Sequence, residues 1–234
     1  MQRWPIDHLV IDDFLPEEKA QLLLQEFPDY NDPLWFEYNS PLELKRTCNS
    51  WEKFPATTYS FFTQLLDKDY ADAIGRLFGL GGVEGDIGLH GGGWHMHGRG
   101  GKLNIHKDYS LHPKTGAQRR LNLILYLTPD WQPEWGGGLE LWTGEVTGKR
   151  PVKCAKVIEN KFNRAVIFRT DQNSWHGLPS PIECPEGVYR RSLAAYFVTD
   201  PDEGAEQRYR ALFAPTKEQE GDSSIEELIK LRQQ

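Results

Sequence analysis

The feature that most constrains the fold is a series of short, strand-like segments in the second half of the chain. Five such runs, separated by turns that contain glycine and proline, lie between residues 86 and 199: LNIHKD, LNLILYLT, GLELW, RAVIFRT and SLAAYFVT. Short strands in close succession are typical of a β-sandwich or barrel. A jelly roll protects its strand edges in about this length and has a pocket at its mouth. We therefore predict a mainly β fold with a jelly-roll core.

Helical patterns flank this core. Pro16 suits the first position of a helix, and apolar residues follow it at helical spacing. Residues 56–78 are expected to form one or two helices, and a capping box at Ser223 and Glu226 opens a short C-terminal helix. The chain is thus predicted to have three regions: an N-terminal helical support (1–85), the β core (86–199) and a polar tail with a docking or partner helix (200–234).

Composition excludes several classes of protein. With 234 residues, 38% of them hydrophobic, the chain can bury one full core. A net charge of −7 argues against nucleic acid as a partner, because phosphate binding depends on clustered Lys and Arg. The first residues lack a basic segment followed by an apolar one, and no run approaches roughly 18 apolar residues, so we expect no export signal or membrane span. The three widely spaced cysteines indicate free thiols. We predict a cytoplasmic protein that binds neither nucleic acid nor membrane, with its oligomeric state left open.

Two candidate metal ligands lie close together in the run LNIHKD. His106 and Asp108 are two residues apart, so on a strand both side chains leave the same face. A sheet that folds back could bring His176 opposite this pair. Two imidazoles and one carboxylate form the facial triad of non-heme iron(II) oxygenases, which leaves coordination positions free for catalysis. An HxD pair alone is weak support, because a surface histidine and a turn aspartate give the same pattern.

The residues that follow His176 strengthen this interpretation. Arg190 and Ser192 lie 14 and 16 positions further on and share a strand face. A guanidinium binds a carboxylate bidentately and keeps its charge when partly buried, so the two side chains could clamp the distal carboxylate of 2-oxoglutarate. The alternative for an isolated arginine is a surface salt bridge, which is the commoner case. The position after the third candidate ligand favours the clamp.

The sequence resembles the iron(II)- and 2-oxoglutarate-dependent oxygenases, most closely the branch similar to prolyl 4-hydroxylases. The resemblance extends from about residue 89 to residue 199. It depends on four segments: HKD at 106–108, RRLNLILYLTPDWQPEWGGGLELW from Arg119, SWHGLP around His176, and RRSLAAYF. It implies a double-stranded β-helix, iron(II) bound by the HxD pair and the distal histidine, and 2-oxoglutarate and O2 as co-substrates, with ascorbate as a candidate reductant.

The same resemblance implies further residue roles. Tyr126 looks like a tyrosine that hydrogen-bonds the distal carboxylate, although an ordinary aromatic residue of the barrel core explains it equally well. Halogenases of the superfamily have a small residue in place of the metal-binding carboxylate, so Asp108 favours hydroxylation. Arg190 shares its face with Ser192, and the RxS spacing matches the family's clamp. Since adjacent residues of a regular strand point to opposite faces, Arg190 is expected inside the barrel and Arg191 outside.

Three polar residues have more open roles. Asn104 shares the ligand face of its strand and is a candidate substrate contact, the alternative being a satisfied polar side chain near a barrel end. His95 and His97 form an HxH pair that could bind metal or line the rim of the pocket. No third ligand at zinc-like spacing follows them, so a zinc site is not favoured.

The substrate is the least determined part of the expected function. The resemblance implies hydroxylation of an unactivated C–H bond of a prolyl or other amino-acid unit, with release of succinate and CO2. The same chemistry on a free small metabolite fits the sequence as well, although a peptide would need an open groove. A non-catalytic jelly-roll module with a structural metal would lack a carboxylate clamp, so Arg190 and Ser192 argue against it.

Overall fold

The computed structural model describes residues 6–145 and 148–233, and within these ranges the chain forms four helices and thirteen strands. The helices are α1 (Glu17–Gln25), α2 (Ala56–Leu65), α3 (Lys68–Leu77) and α4 (Ser223–Gln233). The strands are β1 (His8–Ile11), β2 (Phe36–Ser40), β3 (Glu43–Cys48), β4 (Glu84–Gly85), β5 (Gly93–His97), β6 (Lys102–Lys107), β7 (Gln118–Tyr126), β8 (Leu139–Gly144), β9 (Pro151–Ile158), β10 (Arg164–Arg169), β11 (Trp175–Leu178), β12 (Arg190–Thr199) and β13 (Leu212–Phe213).

The strands form one curled antiparallel sheet. Its order is β1-β10-β7-β12-β5-β3-β6-β11-β8-β9, with β2 on β3, β4 on β12 and β13 on β6. Strand β3 joins the two halves because it pairs with both β5 and β6. The halves face each other across an interior, where the ring centroid of Phe168 on β10 lies 4.8 Å from that of His176 on β11. The curl therefore brings side chains from distant strands together.

Alternation along the central strands separates the core from this interior. Leu121, Leu123 and Leu125 of β7 are fully buried and belong to the main hydrophobic cluster, which also includes Phe62 of α2 and Ile74 of α3. The residues between these leucines point to the opposite face, which lines the interior. Burial of one such leucine contributes about 1.5–3 kcal/mol. The helices thus cover the outer face of the sheet, and polar side chains can occupy its inner face.

The helices agree with the sequence pattern, but the first 85 residues contain more than helices. Segment 56–78 forms two helices, and the side chain of Asp67 caps the second by accepting a hydrogen bond from the backbone N–H of Asp69. Strands β1, β2 and β3 are also present in this region and join the same sheet as the β core. They were not predicted, because β1 has only four residues and the hairpin β2–β3 lacks apolar alternation.

The C-terminal helix docks on the chain's own sheet. Ile225 of α4 packs with Leu42 and with Phe213 of β13, and Arg232 forms a 2.6 Å ion pair with the buried Glu43. The helix cap differs from the predicted one, because Asp222 accepts hydrogen bonds from the backbone N–H and the hydroxyl of Ser224. Among the described residues, no helix combines the length and apolar character that a bilayer span requires.

Candidate active site

Three side chains from neighbouring strands converge in the interior. His106 of β6 and His176 of β11 are cross-strand partners, and Asp108 follows β6. Nε2 of His106 lies 3.7 Å from Oδ1 of Asp108, and Nε2 of His176 lies 3.6 Å from Oδ2 of the same carboxylate. One ligand atom of each residue lies within 4.8 Å of the others. The structure therefore brings together the three candidate metal ligands, although His176 is 70 positions from His106 in the sequence.

Hydrogen bonds orient both imidazoles towards a common point. Nδ1 of His106 bonds the carbonyl oxygen of Asn104, and Nδ1 of His176 bonds that of Ser174, both at 2.9 Å. Because a carbonyl only accepts, each Nδ1 carries the hydrogen and each Nε2 presents a lone pair, as a metal ligand must. Burial lowers the pKa of His176 to about 4, so its ring is neutral near pH 7. Oδ2 of Asp108 is buried and lacks a hydrogen-bond partner in the described part of the chain.

Close approach of the two ligand strands depends on a glycine. Gly177 follows His176, and a Cβ at this position would lie 2.7 Å from the carbonyl oxygen of Leu103 and 2.8 Å from that of Asn104. Any side chain there would push β11 away from β6. On the other edge of β6, Phe213 pairs with His106, and their rings stack with centroids 5.3 Å apart. The donor set is thus held on both sides and fits a divalent cation, and two imidazoles with one carboxylate suit iron(II).

A buried arginine to which the sequence patterns assigned no role holds Asp108. Nη1 of Arg119 lies 3.4 Å from Oδ1 of Asp108, and its Nη2 donates to the carbonyl of His90 at 2.7 Å. Its guanidinium lies between the rings of Tyr109 and Tyr196, 3.4 and 3.3 Å from their centroids. Burial raises the pKa of Asp108, but the charge of Arg119 and the interactions with His176 and His106 together outweigh it and hold that pKa well below its usual range.

Arg119 enters the interior because the strand register shifts. Simple alternation from Leu121 would place it on the helix-covered face. In the pairing of β7 with β12, however, Phe197 faces Leu121 and Val198 faces Arg119, so Arg120 is an extra residue in β7. Such a bulge reverses the direction of the residues that precede it. The sequence gives only the RR pair as a signal, and the bulge depends on tertiary pairing.

We expect the Arg119→Gln variant to bind iron(II) about 10–100-fold more weakly, since residues that orient metal ligands contribute on this scale. Competition with a chromogenic chelator measures the affinity. Arg120→Gln is the matched control, because its guanidinium pairs at the surface with Asp202, 2.6 Å away, and should leave iron affinity unchanged. Equal iron affinity in the two variants would show that Arg119 does not position Asp108.

A second group of polar side chains, Arg190, Ser192 and Tyr126, faces the same interior from β12 and β7. Arg190 is 2% exposed, its Nε donates to the carbonyl of Gly137 at 2.8 Å, and its guanidinium lies 4.9 Å from the ring centroid of Tyr126. Ser192 pairs with Tyr126 across β12 and β7, and the Tyr126 hydroxyl is buried without a hydrogen-bond partner among the described residues. Within residues 6–145 and 148–233, no carboxylate forms an ion pair with Arg190. A buried cation without a counter-ion is costly, so this group fits an anionic ligand.

The two neighbouring arginines lie on opposite faces of β12. Arg191 is only partly buried, and its guanidinium lies 5.6 Å from the ring centroid of Tyr189. Arg190 fits closely against Gly137, where a Cβ would lie 3.2 Å from its Cδ and where φ is +72°. A glycine is therefore needed beside the buried guanidinium. The geometry places Arg190 in the interior, and its contact with 2-oxoglutarate stays a prediction.

Asn104 contacts the C-terminal segment. Its side-chain nitrogen donates to the carbonyl of Ala214 at 3.1 Å and to Oε1 of Gln219 at 2.7 Å. Gln219 in turn donates to the carbonyl of Pro41 at 2.8 Å. The amide nitrogen thus fastens the tail beside β6, while its Oδ1 is buried without a hydrogen-bond partner among the described residues. A role of Asn104 in substrate binding stays a prediction.

The two histidines of the HxH pair face the interior beside the arginine. His97 pairs with Arg190 and His95 with Ser192, across β5 and β12. Burial lowers the pKa of His95 to about 3 and holds that of His97 well below its ordinary value. The charges of Lys45 and Arg190 act in the same direction. Both imidazoles are therefore neutral near pH 7.

The low pKa of His95 predicts acid-sensitive stability. Its ordinary pKa is 6.5 and its folded-state pKa is about 3, so the unfolded chain takes up the proton first as the pH falls. The resulting stability is present above pH 6.5 and decreases towards pH 3. The free energy of unfolding of the metal-free protein should fall by up to about 1.4 kcal/mol per pH unit for this group. Urea unfolding at several pH values measures the slope. His95→Gln should reduce it, and an unchanged slope would contradict the assignment.

Comparison with known proteins bears on the same part of the chain. A sequence model of the 2OG-Fe(II) oxygenase superfamily matches residues 92–198. This segment is similar to that superfamily. It contains all three candidate metal ligands and the residues around Arg190, and the protein is a 2-oxoglutarate-dependent oxygenase that uses iron(II) and 2-oxoglutarate. No curated protein sequence matches the chain significantly.

Solved structures of oxygenases share the fold. A prolyl-4-hydroxylase from Pseudomonas putida is 18% identical with a TM-score of 0.59, and the match covers 82% of this chain and 92% of that one. A prolyl hydroxylase from Trichoplax adhaerens, in complex with a hypoxia inducible factor oxygen degradation domain peptide, is 15% identical with a TM-score of 0.56 and coverages of 82% and 83%. HygX from Streptomyces hygroscopicus, with nickel, 2-oxoglutarate and hygromycin B bound, is 13% identical with a TM-score of 0.51 and coverages of 83% and 84%. The predicted jelly-roll core with flanking helices is confirmed.

Proposed function

We propose that this oxygenase hydroxylates an unactivated C–H bond of a prolyl or other amino-acid unit. One observation carries the proposal: an open three-donor metal site lines the same interior as a buried arginine that has no counter-ion among the described residues. A metal with a purely structural role needs no anion site beside it. The non-catalytic alternative therefore leaves Arg190 unexplained, whereas a carboxylate-bearing co-substrate supplies its missing partner.

The residues divide into two binding groups in this proposal. His106, Asp108 and His176 hold iron(II), and Arg190, Ser192 and Tyr126 hold the distal carboxylate of 2-oxoglutarate. When bound, the iron and its co-substrates supply the oxidising chemistry, in which 2-oxoglutarate, O2 and substrate give succinate, CO2 and a hydroxylated product. The hydrogen bonds at Nδ1 of His106 and His176 orient these two imidazoles for metal binding.

The proposed substrate class rests on similar structures. Two of the similar structures are prolyl hydroxylases, and one of these holds a peptide. A second candidate is a free small metabolite, favoured by the HygX structure that holds hygromycin B. Similar folds host many substrates, so the fold alone does not distinguish a peptide from a metabolite. Neither candidate requires nucleic acid or membrane.

Anaerobic titration tests the co-substrate part of the proposal without knowledge of the substrate. Addition of 2-oxoglutarate to the iron(II)-loaded protein should produce a visible charge-transfer band, and absence of the band would contradict the proposed co-substrate site. Manganese(II) should bind in place of iron(II) without supporting oxidation.

Mass spectrometry then tests the substrate class. Candidate prolyl peptides and free amino acids are incubated with the loaded protein, 2-oxoglutarate and O2. The proposed reaction adds one oxygen atom to the substrate and forms an equivalent amount of succinate. Hydroxylation of a free metabolite but of no peptide would select the second candidate. A chlorinated product, or a demethylated nucleic-acid base, would overturn hydroxylation of an amino-acid unit.

A further inference from the structure

The interior wall that carries Arg190 continues onto β5, which supplies the HxH pair. Ser192 pairs with Tyr126 on one side and with His95 on the other. Because cross-strand partners share a face of the sheet, these three side chains form one row across β7, β12 and β5. Arg190 and His97 form the adjacent row, because Arg190 lies two residues before Ser192 and His97 lies two residues after His95. Five polar side chains thus cover one continuous patch, which we call the polar wall.

The polar wall contains buried groups that lack hydrogen-bond partners. His97 is 2% exposed, and neither of its ring nitrogens has a partner within the described ranges. Nε2 of His95 and the Tyr126 hydroxyl also lack a hydrogen-bond partner within the described ranges. Buried polar side-chain atoms nearly always have a partner, and an unsatisfied one is costly. Four such atoms on one patch indicate a ligand that hydrogen-bonds to several of them.

The charges around the polar wall select an anion over a second metal ion. Arg190 lies in the same row as His97, and Lys45 lies two residues before Thr47, which pairs with His95. Lys45 is paired with Glu43 at 3.2 Å, whereas Arg190 has no carboxylate partner among the described residues. A cation bound by the HxH pair would therefore be repelled by Arg190, whereas Glu43 offsets the charge of Lys45. Among the described residues, the group of His, Cys, Asp and Glu that could hold a metal is the triad at His106.

The protonation state of the histidines suits a donor role. Burial keeps the pKa of both below the ordinary value, so each ring is neutral near pH 7. A neutral imidazole donates from one nitrogen and accepts at the other. A carboxylate has about four acceptor positions, more than one guanidinium fills. An N–H from the HxH pair therefore adds to the contacts of Arg190 without adding a buried charge.

We propose that His97 and His95 bind the distal carboxylate of the co-substrate together with Arg190, Ser192 and Tyr126. This proposal rests on the proposed function and makes the HxH pair a determinant of co-substrate specificity. A pocket built from buried donors rejects an analogue that lacks the matching acceptor, because the donors are then left unpaired. The polar wall should thus select 2-oxoglutarate over a 2-oxo acid of equal chain length that ends in a methyl group.

A titration with two oxo acids tests the proposal. Iron(II)-loaded protein is titrated anaerobically with 2-oxoglutarate and, separately, with 2-oxopentanoate, and the charge-transfer band gives each half-saturation concentration. Both acids chelate iron through the same keto acid end. The half-saturation concentration of 2-oxopentanoate divided by that of 2-oxoglutarate therefore isolates the contribution of the distal carboxylate. The double variant His95→Leu/His97→Leu should lower this ratio about tenfold or more, as expected for lost hydrogen bonds to a charged group.

Matched variants make the outcome specific. His95→Gln/His97→Gln keeps polar side chains at both positions and should stay within about threefold of the wild-type ratio. His112→Asn changes a buried histidine outside the polar wall and should leave the ratio unchanged. If the leucine variant does not fold, His97→Phe, which is closer in volume to histidine, replaces it in the same comparison. A wild-type ratio in the leucine or phenylalanine variant overturns the proposal but not the proposed function, whereas loss of the band with both acids in the wild-type protein overturns the proposed function.

Discussion

Replacement of His176 by alanine is expected to abolish iron(II) binding and succinate production. The two histidines and Asp108 are the only such three-ligand group among the described residues, so the site has no spare donor. The loss of iron affinity should exceed the roughly 100-fold effect expected for removal of an orienting residue. Equilibrium dialysis against iron(II) measures the affinity, and succinate formation measures turnover. The same result is expected for His106→Ala and Asp108→Ala.

A second buried histidine provides the control for this prediction. His112 is 4% exposed, and its Nδ1 accepts hydrogen bonds from the backbone N–H groups of Lys114 and Thr115. His112→Asn keeps an acceptor for these groups and should retain both iron binding and turnover. Near wild-type succinate production in two of the three triad variants would rule out the metal assignment.

Replacement of Arg190 by alanine is expected to raise the 2-oxoglutarate requirement roughly 30-fold or more, because loss of a buried charge-assisted contact costs about 2–5 kcal/mol. Arg191→Ala should change it by less than about fivefold, as expected for an arginine whose surface contacts are worth about 0–1 kcal/mol. The matched pair differs by one position in the same strand, so it tests which strand face carries the clamp. The dependence of succinate formation on 2-oxoglutarate concentration measures both effects.

Thermal unfolding separates a binding role of Arg190 from a structural one. Arg190 is buried without a carboxylate partner in the described part of the chain, so its removal should lower the melting temperature of the ligand-free protein only through the lost packing and the lost hydrogen bond to Gly137. The stabilisation by 2-oxoglutarate, which follows from binding to the folded state only, should be lost. A reversed pattern between the two variants would place Arg191 inside, and equal mild effects would place the clamp elsewhere.

Local sequence patterns predicted much of the site because neighbouring residues determine them. Two-residue spacing put His106 and Asp108 on one strand face, and the same rule put Arg190 beside Ser192. Helical spacing of apolar residues likewise predicted α1 and the segment of α2 and α3. Each of these features requires only that a strand or helix form, which the residues of that segment largely decide.

The sequence by itself determined which side chains share a face of a strand, and only the tertiary structure decided which strands meet. Pairing of β6 with β11 unites His106 with His176, and the bulge in β7 turns Arg119 towards Asp108. Pairing of β5 with β12 likewise places the HxH pair beside Arg190. The physical reason is that side-chain alternation is a local property of the backbone, whereas register and strand order depend on packing between segments that are far apart in the chain.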